Sequence, residues 1–187
     1  MARLPYLDPT ALAPEHRPLL ARNIHLHRLL AHNPEALGAF GVLGQYLRHG
    51  TALDPRLREL AILQIGWCAR SAYEWSHHVK IGLGFGVTEA DIEGMIAESE
   101  GRPSPLEPLA RQVLRAAREA YAGAVGEASF AALRPALGEA ALVDLVLAAS
   151  FYCAVVRILA SLAIEVEEEY LPYLRRFPLP AEPWLPA

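Results

Sequence analysis

The sequence predicts an all-α fold, and three observations carry that prediction. Signals for helix starts recur along the chain: Asn33-Pro34, Asp54-Pro55, Ser71 with Glu74, and Thr88 with Asp91. Apolar residues between these signals fall at helical spacing, as with Leu57, Leu60, Ala61, Ile65 and Cys68. No stretch alternates apolar and polar residues for long enough to form a strand, and no internal repeat is visible. At 187 residues and 53% hydrophobic, the chain is expected to form one domain over 1–187 with a sizeable core that needs neither disulfide nor metal.

Residues 1–13, rich in proline and turn formers, are expected to form an arm lying on the surface or on a neighbouring subunit. Pro14 should open a helix running to about Ala31. Its histidines His25 and His27 are two residues apart and point in different directions, and His32 does not join them on a face, so no metal site is expected there. Asn33 caps a helix with Pro34 at its first position, closed near Gly50. Asp54 and Pro55 start the next, to about Ala69, which should pack by the Leu57–Cys68 stripe with Glu59 beside it. Ser71 and Glu74 form a capping-box pattern for a helix reaching the glycines at 82, 84 and 86.

Thr88 and Asp91 repeat that pattern for a short helix, with Val87 stapling against Ile92. The 101–105 loop is the strongest break, yet composition does not shift across it, so it is an interhelical connection. A helix from Pro108 to Tyr121 follows, then a short one after Ser129 ending before Pro135 and Gly138. A long apolar helix should start near Glu139. Proline recurs too often in the tail PLPAEPWLPA for regular structure, and this tail ends a C-terminal arm, 175–187, in which Trp184 is a candidate anchor.

Composition also excludes function classes. The net charge of -4, with basic residues scattered, gives no footprint for nucleic acid. The N-terminus lacks the apolar core of a secretory signal and two cysteines make a poor disulfide framework, so a cytoplasmic location is expected. Residues 140–166 are nearly all apolar, but Asp144 and Arg157 leave only twelve uncharged residues between them, too few to cross a bilayer. No membrane partner is expected, and the apolar surface such a composition leaves favours a homo-oligomer. There is no P-loop, no GxGxxG after a strand and no GxSxG elbow.

The candidate chemistry gathers between Asp54 and Glu93. Glu74 and His78 are four apart on one helix, close enough for a carboxylate to orient and polarise an imidazole. Tyr73 and His77 form a second such couple. If Glu59 points at them from the preceding helix, burial should raise its pKa and make it a proton donor or acceptor near neutral pH. Each residue has a simpler role open to it. Ser71 and Glu74 can act as a cap alone; Glu59 can pair with Arg56, Arg58 or Arg70; Cys68 can be a small buried hydrophobe; His77 can be a solvated surface histidine; Tyr73 and Trp75 can be core. Adjacent His77 and His78 diverge by about 100° on a helix, which argues against their sharing a metal.

The strings LDPRLRELAIL, YEWSHH and GLGFGVTEADIEGM, with NPEALGAFGVLGQYLRHG before them and FYCAVVRILASLAIEVEE after, resemble the carboxymuconolactone decarboxylase family, which includes the alkylhydroperoxidase D-like proteins. The resemblance covers roughly 33–168. It implies a compact multi-helix protomer assembling into trimers or hexamers with sites near subunit contacts. In the family's peroxidase branch a CxxC pair works with a glutamate and a histidine; those two match Glu59 and His78, whereas Ser71 and Glu74 stand at the cysteine positions. Neither can form a disulfide, and Cys68 and Cys153 are displaced, so disulfide-based peroxidase chemistry is not expected.

The decarboxylase branch is cofactor-free and keeps the acid and the histidine. The resemblance therefore implies a lyase-type enzyme that needs no cofactor or metal and does acid/base chemistry on a small carboxylated or lactone-type molecule. Glu59, His78, Glu74 and Tyr73 would be its proton relay, and His77, Ser71, Cys68 and Arg157 would contact the substrate. Arg157, a lone charge in an apolar helix, is the expected seat for a substrate carboxylate, or else bridges to Glu59, Glu74 or Asp144. Two further readings stand: a non-catalytic, ligand-binding or structural helical oligomer that has lost its redox cysteines, and a redox sensor using Cys68 alone.

Overall fold

A computed structural model describes residues 1–180, so the expected tail and its Trp184 fall partly outside the described residues. Eight α-helices follow in order: α1 His25–Leu30, α2 Pro34–His49, α3 Pro55–Ala69, α4 Ala72–Gly84, α5 Glu89–Ser99, α6 Pro108–Ala122, α7 Glu127–Leu162 and α8 Leu171–Arg176. No strand occurs among the described residues. The all-α expectation holds, and most starts obey the caps read from sequence. Asn33 accepts from the Ala36 N–H at 3.1 Å, Asp54 from Leu57 at 3.0 Å and Ser71 from Glu74 at 3.3 Å. Thr88 and Asp91 form a complete reciprocal box.

Helix α3 is the axis of the molecule, packed by α4, α5, α6 and α7. Every residue from Leu57 to Cys68 is buried. This corrects the expectation of a helix packing by one stripe: with neighbours all round, even Arg58, Glu59 and Gln64 are enclosed. The turn into α4 is short because Arg70 takes a left-handed conformation (φ 49°) and the Ser71 N–H returns to the Gly66 carbonyl at 3.1 Å. The two helices then lie so close that a Cβ on Gly66 would stand 3.3 Å from the Trp75 backbone nitrogen, while Gly82 faces the Glu59 Cβ. That register sets Glu59 against the middle turns of α4.

One other expectation changes. The segment from Pro14 does not run as one helix to Ala31: a 3-10 turn, Pro14–Leu20, ends before α1 begins at His25. Pro18 inside it lacks the N–H a continuous helix would need. The short and long helices expected on either side of Gly138 are present as the two arms of α7, parted where Gly138 leaves the helical conformation (φ 73°, ψ 174°). Helix α7 is long and apolar enough by composition to span a membrane. Here it packs on α3 and α6, and its buried Asp144 accepts from the Tyr46 hydroxyl and the Ala52 N–H, both at 2.7 Å, which pins the α2–α3 loop.

The N-terminal arm lies along its own chain. The Arg3 N–H donates to Leu162 at 3.0 Å and that of Leu7 to Arg28 at 3.3 Å. At the other end the Trp75 indole N–H donates to the Phe177 carbonyl at 2.6 Å, docking the segment after α7 over α4.

Gly66→Val would force α3 and α4 apart at their closest approach. Overpacking of this kind costs roughly 1–3 kcal/mol, read as a lower midpoint in urea unfolding with an unchanged slope.

Candidate functional site

The α3–α4 register brings Glu59, His78 and Glu74 together. His78 Nδ1 lies 2.7 Å from Glu59 Oε2 and Nε2 lies 3.0 Å from Glu74 Oε1. The other Glu59 oxygen accepts from Arg58 Nε at 3.1 Å and Nη2 at 3.0 Å. Arg58, in turn, stacks over the Phe85 ring at 4.7 Å. All four groups are nearly inaccessible, with Glu59 at 0% and His78 at 5% exposure. Tyr152 of α7 meets the His78 ring edge-on at 4.9 Å.

Electrostatics follow from this packing. Burial alone would lower the His78 pKa, but Glu74 and Glu59 outweigh it and push the imidazole up to about 9, so it is an imidazolium at neutral pH. For Glu59, burial acts upward and is overcome by His78 and then Arg58, leaving the carboxyl below its ordinary value. The expectation that burial would raise Glu59 is thus corrected: two cations hold it ionised. The Ser71 and Glu74 box is only half formed, since the Glu74 carboxylate turns away from the cap toward His78.

A cavity of about 50 Å³ opens beside this network, lined by Glu74, His78, Tyr152 and Tyr73 together with Arg22, His27 and Arg48. Glu59 does not line it, so His78 turns Nδ1 to the interior carboxylate and presents its Nε2 side, with Glu74, to the cavity. The Glu74 contact is off the direction of a hydrogen bond, and Glu74 Oε1 has no hydrogen-bond partner.

Tyr73 and His77 belong to a different network. His77 is sandwiched between Tyr73 and Tyr170, with centroids at 4.0 and 3.5 Å, and its Nε2 lies 2.8 Å from Glu167 Oε2. The other Glu167 oxygen accepts from the Tyr73 hydroxyl at 3.0 Å and the His25 N–H at 2.6 Å, while Tyr73 accepts from the Leu26 N–H at 3.2 Å. Burial opposes ionisation of Glu167, yet His77 and the His25 N–H hold its pKa down at about 2. His77 is therefore no solvated surface residue; it ties α4 to the segment after α7, although its ring and Tyr73 also reach the cavity wall.

Three expected contacts lie elsewhere. Arg157 is exposed, donates to the Cys153 carbonyl at 2.5 Å and stacks on Tyr121 at 5.6 Å; it neither lines the cavity nor bridges to a network carboxylate. The helix phase turns its long side chain outward. Cys68 is buried, accepts from the Gln64 amide at 3.4 Å, and burial pushes its thiol up to about 12. A thiol so far from ionising is unfit for the sensor role. Ser71 faces a separate concavity with Val156 and Ala160. Sequence reasoning missed Arg22, His27, Arg48, Tyr152 and Glu167 as site residues; all come from segments distant in sequence, and no local signal marks them.

Because the folded His78 pKa lies above its unfolded value near 6.5, its pairing stabilises the fold fully below that pH and is lost as pH rises toward 9. Wild-type stability should therefore fall across pH 6.5–9 by on the order of 3 kcal/mol more than that of His78→Gln, as measured by chemical denaturation at each pH.

The model of the Carboxymuconolactone decarboxylase family matches residues 34–119, which span α2 to α6 and contain the whole Glu59–His78–Glu74 network. No curated protein matches the chain. Among solved structures, the alkylhydroperoxidase AhpD core of an uncharacterized peroxidase-related protein from Ralstonia eutropha JMP134 aligns over 92% of this chain and 95% of its own, with TM-score 0.77 and 20% identity. An uncharacterized peroxidase-related protein from Silicibacter sp. TM1040 aligns over 90% and 92%, with TM-score 0.68 and 20% identity. These likenesses establish the fold, and the family match establishes the segment that carries the network. Residues 34–119 thus match the carboxymuconolactone decarboxylase family model, in a chain that has the AhpD-like fold and no CxxC pair.

Proposed function

We propose that the protein is a cofactor-independent, decarboxylase-like enzyme that transfers a proton to a small carboxylated or lactone-type molecule bound beside His78. The observation that carries this reading is the imidazolium held between two carboxylates with one side turned to a cavity. His78 is the general acid: its Nε2 proton goes to substrate carbon as the bond to the departing carboxyl group breaks and that bond's electron pair takes up the proton. Glu59, fixed by Arg58, holds the ring from Nδ1 and stabilises its charge. Glu74 receives or relays the proton when the ring is recharged from water.

The same reading assigns the protein to the cytoplasm as a homo-oligomer of three or six chains. Ser71 and Glu74 at the positions where the resemblance expects cysteines, together with an un-ionised Cys68, speak against peroxidase chemistry.

The rival is a non-catalytic helical oligomer. Its support is the deep burial of the network and the pairing of one Glu59 oxygen with arginine. Carbon dioxide release from a panel of small unsaturated or keto acids separates the two. His78→Ala and Glu59→Gln should each lose at least about 100-fold in turnover, the usual scale for a removed acid/base group, while retaining a native circular dichroism spectrum. Unchanged turnover in both variants would sink the enzymatic reading. Activity in the wild type should also decline above pH 9 as the imidazolium is lost.

A further inference from the structure

We propose that Arg22 and Arg48 hold the anionic group of a small organic acid in the cavity beside His78. This rests on the reading of that cavity as a substrate site and names the part of the substrate it recognises. Arg22 comes from the segment before α1 and Arg48 from the last turn of α2, on the wall formed with His27. Neither guanidinium is in an ion pair with a carboxylate among the described residues; Arg48 reaches only its own helix, at the Gly44 carbonyl, 3.5 Å away. Burial, and secondarily Arg22, holds the Arg48 pKa below its ordinary value, so the two cations feel one another in a poorly solvated place.

The remaining polar groups on the cavity wall fit the same ligand. His27, 8% exposed, has no partner at Nδ1, and burial with Arg22 and Arg48 pushes it down to about 4, so it adds no positive charge at neutral pH. Glu74, 3% exposed, keeps its unpartnered Oε1 across the cavity. Its charge is already opposed by the His78 imidazolium, and both Glu59 oxygens are occupied by Arg58 and His78. Two half-buried guanidiniums are thus left without an anion among the described residues, in a partly enclosed space. A partly desolvated cation is stabilised by a partner of opposite charge, and the fork of an arginine fits a carboxylate.

Phe40, Phe151, Ile81 and Val155 supply apolar wall for the body of such a molecule. About 10–15 Å³ holds one water, so a cavity near 50 Å³ takes a ligand of a handful of heavy atoms. An anion fixed on the arginine wall would present the rest of the molecule toward Nε2 of His78.

The test is a titration with propionate and with its neutral isostere propionamide at constant ionic strength, read by the imidazole NMR signals of His27 and His78. Saturable shifts with propionate and none with propionamide are expected. Arg48→Gln and Arg22→Gln should each weaken propionate at least about tenfold, with Arg48→Lys in between because it keeps the charge and loses the fork. Propionamide binding as tightly as propionate would overturn the proposal. So would undiminished propionate binding in both glutamine variants when these keep native melting temperatures and circular dichroism. His78→Gln separates this from catalysis: it should still bind propionate through the arginines, and loss of binding there with retention in the arginine variants would assign the anion to the imidazolium instead. Arginine-dependent binding in a wild type that turns over none of the panel would support the anion site while defeating the enzymatic reading.

Discussion

The contact between His78 and Glu59 across the α3–α4 interface is the constraint on which the site depends. Four ionisable groups, Arg58, Glu59, His78 and Glu74, sit where water is almost excluded. Desolvation of charges at such depth is affordable only if each finds an opposite partner at short range. The alternation of cation and anion along the row achieves this, and it fixes the protonation state: the imidazole is charged because two carboxylates require it. The close helix approach at Gly66 and the short Arg70 turn make that alternation possible, since a looser hairpin would leave Glu59 without the ring.

The protein carries two histidine–carboxylate networks on adjacent strips of α4, and they differ in saturation. Around His77 both Glu167 oxygens are filled, by imidazole on one side and by a phenol and a backbone N–H on the other, and the ring is clamped between two tyrosines. That network binds segments together. Around His78 the interior side is equally complete, but toward the cavity Glu74 Oε1 meets the ring only as an ion pair, His27 Nδ1 has no hydrogen-bond partner, and among the described residues Arg22 and Arg48 are in no ion pair with a carboxylate. A polar network that closes on itself rigidifies the fold, whereas the one around His78 stays open on its cavity side.

Without a CxxC pair the chain keeps the AhpD-like scaffold. Ser71 caps α4, and Glu74 places a carboxylate on the His78 ring one helical turn later. The available thiol, Cys68, lies among apolar groups that suppress its ionisation. A fold shared with peroxidase-related proteins thus holds here a buried row of alternating charges, Arg58, Glu59, His78 and Glu74.

Much of this was legible in the chain alone. Caps at Asn33, Asp54, Ser71 and Thr88 are local interactions within three residues, and so the helix starts followed directly from sequence. The i, i+4 spacing of Glu74 and His78 likewise fixed their proximity, and the carboxylate inside an apolar helix marked Glu59. Burial all round α3, the break after Pro14–Leu20 and the outward turn of Arg157 were decided by packing, because helical phase and neighbours are set by the whole assembly of helices. The same holds for the sign of the Glu59 pKa shift: sequence supplied the burial that raises it, and only the tertiary structure brought Arg58 and His78 close enough to reverse it. The arginines that line the cavity with His78 come from 30 and 56 residues earlier in the chain, and no local pattern encodes a meeting that happens only when the core closes.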